Sequence, residues 1–240
     1  MSGLRDSAVV LMAKWPEPGR SKTRLCPPLS PLQAAELARC FLVDMAAELA
    51  TLDLQCCVAC TPAASAGEFR ALLGSGVVLL PADVEGFGAA LLDAQEGAFG
   101  LGFKRVALVG ADLPHLRADV YRQGFDLLDQ SEVVMGPSTD GGYYFLGTHR
   151  PTPELFEAVD WSTERVARQT RDRADVAGLR LAVAPPCDDV DTPADLGWLT
   201  PLLQRERPAS ATLAYLQTLQ QAVDRIAAGQ DAAWLARSTT

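Results

Sequence analysis

Two hydrophobic spacings alternate along the chain. Residues 8–12 form a short, continuous apolar run. Residues 31–50 then carry Leu32, Ala35, Leu37, Ala38, Phe41, Leu42, Met45, Ala46 and Leu49 at helical spacing, with Ser30 placed to cap the helix and Pro31 at its first position. The succession repeats as an apolar run at 54–60, a short helix at 66–73 closed by Gly74, a strand at 77–80, a helix at 87–99, a strand at 105–109, a helix at 115–128 and a strand at 132–135. Runs that are apolar throughout fit parallel strands buried on both faces. The β-α alternation predicts a Rossmann-like α/β fold: a mostly parallel sheet with helices on both faces.

The pattern changes near residue 140. Asp140–Gly141–Gly142 is a turn signal ahead of the apolar stretch 143–146, which predicts an antiparallel excursion. A helix at 163–174, a strand at 179–184 and a helix at 193–203 follow. The last has Thr192 as its cap, Pro193 at its first position and Asp195 three residues after the cap. Residues 210–236 read as helix, with Leu213, Leu216, Leu219, Val223, Ile226, Ala227 and Trp234 on one stripe. A boundary near residue 207 thus divides a 1–206 domain from a 207–240 helical extension, which either packs back on the domain or makes a homodimer contact.

Bulk properties narrow the function. A chain of 240 residues, 48% hydrophobic and 21% charged, is ordinary for a globular protein with a sizeable core. Its net charge of −9 opposes general affinity for nucleic acid or an anionic membrane surface. No apolar run is long enough to span a bilayer, and the six apolar residues after Arg5 and Asp6 are too few for a secretory signal, so the cytoplasm is expected. Cys56, Cys57 and Cys60 fall in a predicted strand, where packing is their expected role. A redox C-x-x-C pair needs a helix N-terminus to lower its thiol pKa.

Against that acidic background, Lys14, Arg20, Lys22 and Arg24 crowd into eleven residues with one acid, Glu17. Pro16, Pro18 and Gly19 allow neither strand nor helix to continue there. A rigid cationic loop after a strand presents charge at the carboxyl edge of a sheet, where phosphorylated ligands bind. A solvated basic loop is the plainer alternative. In an extended segment Arg20, Lys22 and Arg24 would project to one side, where they repel one another unless an anion lies between them. The loop is not a Walker A motif, because Ser21 and Pro16 stand where that motif needs glycine. Arginine forks and a lysine point charge would do the phosphate binding instead, with Lys14, Gly19 and Thr23 beside them.

Carboxylates come from elsewhere in the chain. Asp112 directly follows the fourth strand, as either a site residue or a helix cap. Asp189 and Asp191 lie two apart in an extended segment, face the same way, and would share a hard metal with Asp112. Magnesium suits such a set, since it joins one or two carboxylates to substrate phosphates while keeping waters. Asp195 is better read as a cap and Asp188 as solvent-exposed. Ser138, Asp140, Gly141 and Gly142 form a third group, either a plain turn or a place where backbone approaches an acceptor. Gly86 and Gly88 are a weaker candidate for contact with a nucleotide base or ribose.

These residues together resemble a bacterial GT-A-like family known as radical-SAM-associated glycosyltransferases of unknown substrate. The likeness runs through K-x-P-x-P-G-R-x-K-T-R-L at 14–25, G-A-D-x-P at 110–114, G-P-S-x-D-G-G-Y-Y at 136–144, W-S-T at 161–163 and D-x-D-T-P-x-D-L at 189–196. More distantly, the chain is similar to phospholactate and molybdenum-cofactor guanylyltransferases. The resemblance implies a GT-A or nucleotide-diphospho-sugar-transferase fold and a nucleoside triphosphate or nucleotide sugar as ligand. It also implies Mg²⁺ (or Mn²⁺) on Asp112, Asp189 and Asp191. Where GT-A glycosyltransferases usually carry D-x-D, this chain has Ala111–Asp112 with a single aspartate.

The sequence therefore predicts magnesium-dependent nucleotidyl transfer from a nucleoside triphosphate to a small anionic acceptor. Arg20, Lys22 and Arg24 would hold the phosphates, and Asp112 would act with them. An anionic acceptor is already ionised and needs no general base, in keeping with a chain that has only His115 and His149. Glycosyl transfer from a nucleotide-diphospho-sugar and non-catalytic nucleotide binding are the alternatives.

Overall fold

The computed structural model describes residues 4–207 and 210–227. Its centre is a seven-stranded sheet of β1 (Ser7–Lys14), β2 (Gln55–Thr61), β3 (Val78–Pro81), β4 (Arg105–Gly110), β5 (Val133–Pro137), β6 (Tyr143–Thr148) and β7 (Leu181–Val183), in the order β3-β2-β1-β4-β6-β5-β7. β1 pairs in parallel with β2 and β4, and β2 with β3. β6 runs antiparallel between β4 and β5, and β7 closes the edge parallel to β5. The expected fold class and the excursion after the Gly141–Gly142 turn are both present.

The described residues form seven α-helices, α1 (Pro31–Leu49), α2 (Ala66–Leu73), α3 (Phe87–Gly100), α4 (Ala118–Leu128), α5 (Val166–Val176), α6 (Pro193–Glu206) and α7 (Ala211–Ala227). Alternation along β1 divides the core. Val9 and Leu11 pack with Met45 and Leu49 of α1, Phe69 of α2 and Phe125 of α4 on one face. Ala8 and Val10 pack with Leu91, Ala94 and Ala98 of α3 and Ala174 of α5 on the other. Each such Val or Leu, fully buried, contributes about 1.5–3 kcal/mol. Cys56 and Cys60 lie in the first of these layers and Cys57 in the second, all three as free thiols.

The capping signals hold. Ser30 and Gln33 form a reciprocal capping box at α1, and Thr192 and Asp195 form one at α6. Two helix starts differ from expectation. α4 begins at Ala118, not at 115, because Leu116 closes a turn onto Leu113 and the Glu48 carboxylate takes the Ala118 amide. α5 begins at Val166, not at 163, because Ser162 has φ 63°, a left-handed conformation that cannot enter a helix. Nor is Asp112 the cap of α4, which starts six residues later.

α7 packs against α1 and α6 in a third apolar cluster containing Leu25, Leu37, Phe41, Leu199, Leu203 and Leu213. The buried Asp44 of α1 accepts the Ala211 and Thr212 amides at 2.7 and 2.9 Å, which caps α7 from another helix. Arg207, at the expected boundary, donates to the Pro114 and Asp44 carbonyls. The end of the predicted stripe, with Trp234, lies outside the described residues. Among the described residues no helix is long and apolar enough to cross a membrane.

Candidate active site: two chambers at the sheet edge

Strand register brings the first pieces together. Met12 pairs with Gly110, so the chain leaving β1 toward Lys14 runs beside the chain leaving β4 toward Asp112. This is the carboxyl edge at the point where the sheet order turns back, the usual ligand crevice of such folds.

The cationic segment is not extended, and this corrects the expectation that Arg20, Lys22 and Arg24 project to one side. Glu17 begins a turn in which its carbonyl accepts from Arg20 and Ser21 and its amide donates to the Ser21 hydroxyl. Lys22 adopts φ 50°, ψ 39°, and residues Thr23–Leu25 make one 3₁₀ turn. The reversal drives Lys22 inward, where its side chain is 4% exposed and its ammonium lies 5.7 Å from the centre of the Phe41 ring. Arg20 and Arg24 stay largely exposed. Arg39 of α1 ties the loop down by donating to the Pro16 carbonyl and lying over the Trp15 ring.

The Lys22 ammonium meets Asp112 Oδ2 at 2.9 Å, Asp191 Oδ1 at 2.7 Å and the Val190 carbonyl at 2.7 Å. The cation that joins Asp112 to Asp191 in this structure is therefore the protein's own. Burial alone would pull the Lys22 pKa down, but the two carboxylates outweigh it and raise the value. Arg24 reaches the second oxygen of Asp191 at 3.5 Å. The Val190 amide donates to the Asp112 carbonyl, fixing the acidic segment beside β4. Asp188, exposed as expected, accepts from the Thr139 amide and links that segment to the β5–β6 turn.

Asp189 differs from its neighbours. Its Oδ1 is buried without a hydrogen-bond partner, and burial together with the Asp112 and Asp191 charges pushes its carboxyl up to about 7. Among the described residues no three His, Cys, Asp or Glu side chains already stand in a metal-binding arrangement. The donor chemistry nevertheless fits a hard divalent cation. Two carboxylates already share one cation, and a third presents an unpartnered oxygen beside them.

Two chambers open at this edge. The first, of about 360 Å³, is lined by Lys14, Arg20, Lys22, Thr23 and Arg24 against Asp112 and Asp191. The second, of about 490 Å³, is lined by Ser138, Asp140, Gly142, Tyr143, Trp161, Thr163, Glu164, Asp189 and Asp191, with Arg24 as its one cationic side chain among the described residues. Met12, Arg24, Phe87 and Asp191 belong to both. Asp140 and Glu164 have no ion-pair partner among the described residues, while Asp191 is shared with Lys22 and Arg24, so an anion placed beside the first two would face like charge.

Four predicted site residues line neither chamber. Gly19 turns the loop at φ 75°. Gly86 precedes α3 at φ 92°, and Gly88 lies under the Trp161 indole, where an added Cβ would stand 2.5 Å from Nε1. Gly141 has φ 89°, an added Cβ would run into the Glu164 carbonyl, and its own carbonyl accepts from the Ala167 amide. These glycines answer backbone and packing demands. Phe41, Phe87, Trp161 and Glu164 were not among the predicted site residues. Of these, Trp161 stands in the W-S-T motif quoted above, while the 52% exposure of Phe87 is not visible in sequence.

The sheet order and its helices define a nucleotide-diphospho-sugar-transferase-like fold with two chambers at the sheet edge. The chain belongs to the family described as an uncharacterized protein conserved in bacteria (DUF2064), whose model matches residues 44–163. A crystal structure from Desulfovibrio desulfuricans G20, provisionally named a nucleotide-diphospho-sugar transferase, is 29% identical with a TM-score of 0.84. The likeness covers 92% of this chain and 97% of that one. The fold is shared with a cytidylyltransferase from Leptospira borgpetersenii serovar Hardjo-bovis (strain JB197), at 13% identity and TM-score 0.56 over 91% and 95% of the two chains. It is also shared with CMP:2-keto-3-deoxy-manno-octonic acid synthetase complexed with CTP, at 14% identity and TM-score 0.53 over 83% and 99%. No curated protein matches the chain in sequence.

Proposed function

We propose that the protein is a divalent-cation-dependent transferase acting on an activated nucleotide, with nucleotidyl transfer from a nucleoside triphosphate as the leading reaction. The observation that carries this reading is the pairing of a cationic chamber with an acid-lined one across the shared residues Arg24 and Asp191. A phosphate chain belongs in the first, an acceptor belongs in the second, and their reacting ends meet at the boundary. Lys14, Arg20 and Arg24 would bind the phosphate oxygens as point charge and planar forks. Lys22 would hold Asp112 and Asp191 in place until the nucleotide arrives. Asp112, Asp189 and Asp191 would hold Mg²⁺ or Mn²⁺, which when bound neutralises phosphate charge.

In nucleotidyl transfer an acceptor oxygen forms a bond to the α-phosphorus as the bond to pyrophosphate breaks. The chain's contribution is to place both partners in line and to offset charge on the leaving oxygens. A hydroxyl acceptor releases its proton in that step, and the second chamber has carboxylates within reach of the boundary. Glycosyl transfer is the second reading, favoured by the name of the Desulfovibrio protein, which is similar along nearly its whole length. It would release a nucleoside diphosphate in place of pyrophosphate.

The test is thermal denaturation with each nucleoside triphosphate and each nucleotide-diphospho-sugar, with and without Mg²⁺. A true ligand at about 100 times its dissociation constant adds about 2.7 kcal/mol of stability. Arg24→Ala, exposed and therefore tolerated by the fold, is expected to weaken that response about tenfold in affinity. A protein that no nucleotide stabilises would sink both transfer readings.

A further inference from the structure

The acid-lined chamber has a second property that charge alone does not explain. Phe87 at the start of α3 is 52% exposed and lies over the opening, with its ring 5.4 Å from that of Trp161 at 73°. Trp161 rests on Gly88, with no room between them for even a methyl group. The turn that carries Trp161 is held firmly. Its amide donates to the Val159 carbonyl, the Thr163 hydroxyl donates to the Asp160 carbonyl, and Gln169 and Arg165 both bind the Asp160 carboxylate. The chamber therefore has a fixed aromatic wall.

The same chamber is lined by Asp140, Glu164 and Asp189. Asp140 Oδ1 is engaged by the Ser138 hydroxyl and the Gly142 amide at 2.9 Å each, which fixes the carboxylate's orientation. Glu164 forms no ion pair among the described residues, and Asp189 Oδ1 has no partner. Ser138 and Thr163 line the chamber as well. Carboxylates accept hydrogen bonds and repel anions, and aromatic faces bind the C–H faces of rings and attract cations.

Resting on the proposed transfer reading, we infer that this chamber binds the acceptor, and that the acceptor is an uncharged or amine-bearing polyhydroxylated ring and not an anion. One face of the ring lies on Phe87 and Trp161. Its hydroxyl or amine groups donate to Asp140, Glu164 and Asp189, and the hydroxyl nearest Asp191 is the one presented to the nucleotide. The ligand's size and donor-rich edge follow from the 490 Å³ chamber and its excess of acceptors.

The experiment uses the full chain with the cationic chamber filled by inorganic pyrophosphate and Mg²⁺. A panel of neutral monosaccharides, amino sugars and monosaccharide phosphates is then screened by saturation-transfer NMR. Binders are expected among the first two classes, with the phosphate esters of the same rings silent. Phe87→Ala, at an exposed position, is expected to weaken the best binder about fivefold to tenfold. Glu164→Gln is expected to weaken amino sugars more than neutral ones. Hits confined to the phosphates, no hits at all, or hits indifferent to Phe87→Ala would each overturn the inference. Stabilisation by pyrophosphate or nucleotide without any ring binder would remove this proposal and leave the nucleotide reading standing.

Discussion

The two chambers share a wall but are built in opposite ways. The cations of the first all come from one stretch, Lys14 to Arg24, folded on itself so that Lys22 turns inward and locks Asp112 to Asp191. The carboxylates and aromatic rings of the acid-lined one come from segments distant in sequence: the start of α3, the β5–β6 turn, the turn ahead of α5 and the chain before α6. One is a local charge cluster under a tertiary constraint. The other exists only because glycines let separate backbones approach. The comparison teaches that charge places a site, while close packing gives it shape.

The sharpest way to break that contrast is at the acceptor side. Gly141→Ala would drive a Cβ into the Glu164 carbonyl at a backbone φ of 89°. Overpacking plus left-handed strain is expected to cost about 3 kcal/mol or more. Urea denaturation reads this directly, and a variant as stable as the parent would show that the two turns are not in contact.

Next in size is Lys22→Met, on the cationic side. It removes a buried ammonium from two carboxylates that it holds together, at an expected cost of about 2 kcal/mol. The carboxylates are 41% and 38% exposed, so solvent screens part of the loss. An unchanged urea midpoint would mean that the pairing does not hold the loop.

A pH-dependent effect lies at the boundary. The Asp189 carboxyl titrates at about 7 in the fold, against an ordinary 3.8. Between those values the folded protein keeps a proton that the unfolded chain has lost. Stability without divalent cations should therefore fall as pH rises from about 4 to 7 and level off above. Asp189→Asn should flatten this slope, so that the variant gains Tm relative to the parent at pH 8 compared with pH 4.5. Parallel pH profiles for the two proteins would count against an unpartnered carboxylate there.

Much of this was legible along the chain. Continuous apolar runs marked the buried strands, helical spacing marked α1 to α4, and the Ser30 and Thr192 caps formed as their chemistry requires. Asp112, Asp189, Asp191 and the cations reached one crevice because each follows a strand or ends a loop at the same sheet edge. The inward turn of Lys22 was not legible, because an extended and a folded cationic loop have the same composition. Which of the two readings suits Gly88 and Gly141 was not legible for a related reason. A glycine that admits a ligand and a glycine that admits a neighbouring chain look alike until that neighbour is in place.

The chain alone determined the succession of strands and helices, and which charges stand at strand termini. Each of these follows from interactions between residues a few positions apart. Only the tertiary structure decided which cation is buried, which carboxylate is left without a partner and which aromatic ring lies over the cleft. Those outcomes depend on contacts across fifty or more residues, and local spacing carries no information about them.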